Sequence, residues 1–116
     1  MASARFLHVR LGHMLDEIDA IIFATRGIAA EAVMADYLTT RAVERAIQIV
    51  SEAAKELPPE VRALEPDVPW PEIIGIGNLL RHEYYRIKTS EIRAILTDHL
   101  PRLRPAIVRL LAKFQP

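Results

Sequence analysis

Between positions 78 and 86 the chain reads N-L-L-R-H-E-Y-Y-R. An amide (Asn78), two guanidiniums (Arg81, Arg86), an imidazole (His82) and two phenols (Tyr84, Tyr85) lie within one short run. An imidazole takes and gives protons near neutral pH. Guanidiniums hold phosphate and stabilise charge developing on it. Cleaving RNA without a metal needs little more: a base for the 2′-hydroxyl, an acid for the leaving 5′-oxygen, and cations for the phosphorane. By spacing alone the plainer reading is the stronger one, because polar helix faces are common. It makes the run a solvated face with a histidine hydrogen-bonded inside a bundle.

The element that must carry these groups is a helix from Trp70 to Ile87. Pro69 and Pro71 bracket Trp70, and proline suits a first helical turn, where its missing N–H loses no bond. Glu72 follows near the positive end of the helix dipole. Ile73, Ile76, Leu80, Tyr84 and Ile87 recur at three and four residues and predict one apolar face. Asn78, Arg81, His82 and Tyr85 then share another face, with Arg86 one turn beyond His82. Gly75 and Gly77 each cost about 1 kcal/mol against alanine inside a helix. Two such residues predict close approach of a second helix, a second subunit or a ligand.

Other candidate motifs are weaker. G-I-G-N at 75–78 lies within a helix and follows no strand, unlike a phosphate-binding glycine loop. His8 and His13 are five apart, off the spacing that aligns two ligands on one helix face, and His99 stands alone. No metal site and no cofactor are expected.

The rest of the chain is read as scaffold. A first helix is predicted over Ala4–Thr25, with Leu7, Leu11, Met14, Leu15, Ile18, Ile21 and Ile22 as its buried stripe and Gly27 as its stop. Residues 28–38 are either a loop with one helical turn or an early start of the next helix. A second helix is predicted from Thr40 to Leu57, capped by Thr39 or Thr40 and ended by Pro58-Pro59. A short turn is expected over 60–64. A last helix is predicted from Glu91 to Phe114, capped by Thr89 or Ser90. Pro101 and Pro105 predict a kink or break in it near His99–Leu100. No stretch alternates with period two. The expected fold is all-α, an antiparallel bundle of four main helices with short turns.

At 116 residues, 51% of them apolar, the chain is long enough for one domain with a real core. It has no cysteine, hence no disulfide framework and no thiolate-bound metal. No apolar run is long enough to span a membrane, and the first ten residues do not read as a signal peptide. A cytoplasmic protein is expected. Net charge is zero but uneven: residues 1–80 carry 7 Lys/Arg against 12 Asp/Glu, and residues 81–116 carry 8 against 3. The asymmetry fits either an anion-binding face or two regions that neutralise each other in the fold. On charge alone the second is preferred.

Taken together, three segments carry a resemblance. They are R-A-V-E-R-A-I-Q-I-V-S-E-A-A-K at 41–55, V-P-W-P-E-I-I-G-I-G-N-L-L-R-H-E-Y at 68–84, and D-H-L-P-R-L at 98–103. With the opening amphipathic helix, they make the chain similar, nearly end to end, to the HepT family. These are the toxins of HepT–MntA toxin–antitoxin modules, within the HEPN superfamily. The resemblance implies a single HEPN-type bundle over 1–116 that forms a homodimer, with its active-site helices facing across a cleft. It implies metal-independent RNA cleavage, and silencing by an MntA-type nucleotidyltransferase that places AMP on the tyrosine of His-x-Tyr. Carried over, His82 is the catalytic histidine, Asn78 the polar residue of the motif and Tyr84 the modified tyrosine.

One position departs from the family pattern, which usually reads R-N-x-x-x-H. Gly77 stands where the motif arginine belongs. The expectation is that Arg81, together with Arg86, takes over phosphate contact, with Tyr85 beside the substrate. The alternative is a weak or inactive nuclease that binds a nucleotide or a nucleotidyltransferase partner.

Overall fold

The computed structural model describes residues 3–116. Four long helices dominate: α1 (Ala4–Thr25), α3 (Tyr37–Glu56), α5 (Trp70–Glu83) and α7 (Leu100–Lys113). Three short ones join them: α2 (Ala30–Ala35), α4 (Pro59–Arg62) and α6 (Thr89–Ala94). No strand occurs among the described residues. The fold is an all-α bundle, as the periodicity predicts.

Helix α1 keeps its predicted limits. Ser3 Oγ accepts the Phe6 N–H at 3.1 Å and caps its start. Gly27 ends it with φ +75°, a conformation open to glycine at little steric cost. The next helix starts earlier than predicted, and its cap is neither threonine. Asp36 accepts the Thr39 N–H at 2.9 Å and the Thr39 hydroxyl at 2.6 Å. The Thr40 hydroxyl donates instead to the Val33 carbonyl at 2.7 Å and ties α2 down. A carboxylate three residues ahead of two threonines is the better acceptor, so α3 begins at Tyr37.

Side-chain ties set the helix directions. Ser51 meets Ile74, while Arg41, ten residues earlier on α3, meets Tyr84 just beyond α5. Helices α3 and α5 are therefore antiparallel. The Arg104–Asp19 pair at 2.6 Å links α7 to α1 across their exposed edge. Between the helices lie Leu11, Met14, Ile18, Val43, Ala54, Leu57, Ile92, Ile107 and Leu110, all essentially sealed from water. Each large side chain so buried stabilises the fold by about 1.5–3 kcal/mol relative to exposure.

The last predicted helix is resolved into three parts. Lys88 occupies its cap position with no side-chain cap bond, and Thr89 and Ser90 already lie inside α6. Neither hydroxyl is the cap. Residues Ile95–His99 form a π-helical turn, in which the Leu100 N–H reaches back five residues to the Ile95 carbonyl. Helical dihedrals continue through His99 and Leu100, so the expected break is a widened turn in a continuous rod. Pro101 follows at once, so the widened turn sits where the helical ladder must accommodate its missing N–H and its ring.

Candidate functional site

Helix α5 is fixed at its entrance by Trp70. The indole is buried, and its N–H is shared between the carbonyls of Arg62 at 3.0 Å and Glu65 at 3.1 Å. Leu80 is sealed in the core, and Ile73, Ile74, Ile76 and Leu79 are half-buried against it. Gly75, Asn78, Arg81 and His82 are all exposed. Asn78 and His82 are one turn apart, so amide and imidazole sit over the same strip of surface. Arg81 lies beside them, its guanidinium 3.5 Å from the Asn78 Oδ1, a long and weak contact.

The predicted continuation to Ile87 does not form. Glu83 leaves the helical region (φ −143°, ψ 45°), and residues Tyr84–Arg86 make a tight 3-10 turn before buried Ile87. This break moves Tyr84 off the apolar stripe where ideal periodicity puts it. Tyr84 is 54% exposed and Tyr85 72%, so both phenols reach solvent. The break also removes the ideal-helix relation between Arg86 and His82. Arg86 is held instead by Glu83, 3.1 Å away.

The turn brings up a group that local spacing does not reveal. The Arg41 guanidinium, from α3, lies 5.6 Å from the centre of the Tyr84 ring and 5.1 Å from that of Tyr37. Tyr85 meets Tyr84 edge-to-face at 5.9 Å. Glu44 accepts a hydrogen bond from Arg41 at 2.8 Å. That bond and the charge behind it raise the guanidinium pKa, with a smaller contribution from Tyr37. A groove of about 330 Å³ beside the cluster is lined by Arg41, Glu44, Arg45, Gln48, Leu80 and Tyr84. In the sequence the signal is only Tyr37-x-x-x-Arg41, one turn apart on α3; the contact with Tyr84 spans 43 positions.

The two glycines of α5 have different roles. A Cβ on Gly75 would meet nothing within 4 Å. A Cβ on Gly77 would stand 1.9 Å from Ser51 Oγ and 2.4 Å from Ser51 Cβ. The expected close approach is thus that of α3, at Gly77 alone. Ser51 also donates to the Ile74 carbonyl at 3.1 Å. Position 77 faces a neighbouring helix, and in this packing an arginine does not fit there.

The D-H-L-P-R-L segment lies elsewhere. Asp98, His99 and Arg102 line a separate groove of about 410 Å³ with Glu65, Glu72 and Arg109. Among the described residues, no three histidine, aspartate or glutamate side chains converge as a metal-binding set. No described helix is long and apolar enough to cross a membrane.

Comparison with known proteins gives the family. A family model described as "Ribonuclease HepT-like" matches residues 14–110. A protein of Caldanaerobacter subterraneus subsp. tengcongensis, described as a "Putative RNase", is 35% identical over 103 residues, covering 89% of this chain and 92% of its own. The "Probable ribonuclease HepT" of Thermococcus cleftensis is 29% identical over 100 residues, covering 86% and 91%. A Methanocaldococcus jannaschii protein, also described as a "Putative RNase", is 27% identical over 105 residues, covering 90% and 96%. No solved structure matches significantly. With the all-α bundle and a family match across most of its length, the chain belongs to the HepT-like ribonuclease family of the HEPN superfamily.

Proposed function

We propose that the chain is a homodimeric, metal-independent endoribonuclease, the toxin of a HepT–MntA-type pair acting in the cytoplasm. The observation that carries this reading is the open face of α5. His82 is exposed there, with Asn78 one turn before it and Arg81 beside it. A two-fold axis would set two such faces across one cleft. His82 acts as general base on the 2′-hydroxyl or as general acid on the departing 5′-oxygen. The 2′-oxygen attacks phosphorus, the bond to the 5′-oxygen breaks, and a 2′,3′-cyclic phosphate and a 5′-hydroxyl are left. Arg81 contacts the phosphate, Asn78 orients substrate or imidazole, and Arg86 and Tyr85 contact the flanking strand. Tyr84 is the phenol that a nucleotidyltransferase partner modifies with AMP. Its exposure supports that role.

A second reading is favoured by one observation, the contact of Gly77 with Ser51. The position that carries the motif arginine in the family is occupied by packing. The chain is then a weak or inactive nuclease that binds a nucleotide or a nucleotidyltransferase partner. Purified protein incubated with a mixed RNA pool in excess chelator, wild type beside His82→Ala, separates the two. Cleavage by the wild type alone, with cyclic phosphate ends, supports the nuclease. Intact RNA with a folded, unmodified wild type supports the binding role.

A further inference from the structure

We infer that Tyr37, Arg41, Tyr84 and Tyr85 form a stacking platform for unpaired bases of an RNA strand, next to the His82 face. The inference rests on the nuclease reading for its ligand and goes beyond it in naming a binding site on α3. Scattered exposed aromatics need no explanation, but grouped ones mark interaction surfaces. Here two tyrosines from separate chain segments, Tyr37 and Tyr84, meet at one guanidinium, a third, Tyr85, packs edge-on against Tyr84, and Tyr37 and Tyr85 are 70% and 72% exposed. Folding alone gains little from leaving so much ring surface in water.

The chemistry of the cluster selects its ligand. Flat π-faces with a planar cation among them stack on any base, and they favour single strands, whose bases are free to splay outward. Of the carboxylates at hand, Asp36 caps α3 and Glu83 pairs with Arg86; Glu44, the one that lines the groove, is satisfied by Arg41, with 13% of its side chain exposed. It therefore steers the guanidinium and offers little open negative charge to repel a phosphate. Arg45 is exposed and lines the same groove, within reach of a strand backbone. Duplex RNA keeps its bases stacked inside, so the platform discriminates against it.

The test uses His82→Ala protein, free of tyrosine modification by intact mass, so that the probe stays whole. The probe is a short single-stranded RNA carrying 2-aminopurine, whose emission falls when the base stacks, and the same RNA paired with its complement. The expected result is quenching with the single strand and much less with the duplex. Tyr37→Ala and Arg41→Ala should each weaken binding about tenfold or more, and Arg41→Lys should recover little, since a lysine cannot stack. Unchanged thermal unfolding of the variants shows that they are folded. Equal quenching by Tyr37→Ala, or no quenching by the parent protein, overturns the platform. If wild type cleaves RNA and no quenching appears, the platform fails and the nuclease stands. Quenching without cleavage leaves the platform standing and the nuclease refuted.

Discussion

Adding one methyl group at Gly77 and one at Gly75 should move stability in opposite directions. Both residues sit inside α5, so each substitution to alanine gains about 1 kcal/mol of helix propensity. At Gly75 nothing opposes that gain, because the new Cβ has open space around it. At Gly77 the new Cβ falls 1.9 Å from Ser51 Oγ and 2.4 Å from Ser51 Cβ, well inside the ~3.5–4.0 Å of an ordinary carbon contact. Rotating the serine cannot clear its own Cβ, so α3 and α5 must separate. Overpacking of this kind costs about 1–3 kcal/mol, and losing the Ser51 bond to the Ile74 carbonyl adds about 1 kcal/mol. The net expectation for Gly77→Ala is a loss of about 1–3 kcal/mol, read as a Tm lower by roughly 5–15 °C for a domain of this size. Gly75→Ala should raise the Tm by up to about 5 °C. In Ser51→Gly with Gly77→Ala, the nearest remaining atom is the Cα of residue 51 at 3.8 Å, so the clash part of the loss should vanish. Calorimetry on the three variants measures this. A Gly77→Ala protein as stable as Gly75→Ala refutes the packing argument. A Gly75→Ala protein that is destabilised refutes the open surface and puts another chain segment or a second copy directly against that glycine.

The other predictions concern single groups. Arg109 donates to Glu65 at 2.6–3.2 Å and holds its carboxyl below the ordinary 4.5. A depressed carboxylate stabilises the fold above its unfolded pKa and ceases to as pH falls through its folded one. The Tm gap between wild type and Glu65→Gln should therefore be open at pH 7 and close below about pH 4. Trp70→Phe keeps most of the buried ring but leaves the Arg62 and Glu65 carbonyls without the indole donor, and should lower stability by about 1–3 kcal/mol in urea titrations. His82→Ala lies on an exposed face and should unfold within about 0.5 kcal/mol of wild type while losing all RNA cleavage. With a nucleotidyltransferase partner and labelled ATP, Tyr84→Phe should abolish label transfer and Tyr85→Phe should leave it; the reverse pattern moves the modification to Tyr85.

Much of the architecture was legible because it depends on neighbours along the chain. The limits of α1, the core positions from Leu7 to Ile21, the stop at Gly27 and the proline-led start of α5 follow from periodicity and punctuation. What was not legible depends on contacts between segments, or on a competition between nearby caps. Asp36 outranks two threonines only when its carboxylate is seen over the Thr39 N–H. Gly75 and Gly77 are alike on the page, and only the placement of Ser51 tells the packed one from the open one. Tyr84 belongs to an apolar stripe on an ideal helix, and the departure of Glu83 from helical dihedrals takes it out. In the candidate site, Asn78, Arg81 and His82 were visible as a motif, whereas the proposed contribution of Arg41 was reachable only through the antiparallel pairing of α3 with α5.

The meeting of Ser51 with Gly77 also imposes an order on this chain's evolution. An arginine cannot enter position 77 while the serine stands opposite, because the first intermediate would be a poorly packed bundle. Clearing position 51 first leaves a Cβ at 77 with its nearest neighbour, the Cα of residue 51, at 3.8 Å, so the route runs through 51 and then 77. A change at 77 alone therefore meets a higher barrier than the same change at Gly75, whose side is open. The contact acts as a latch on the lineage: while it is closed, change at position 77 waits on change at position 51.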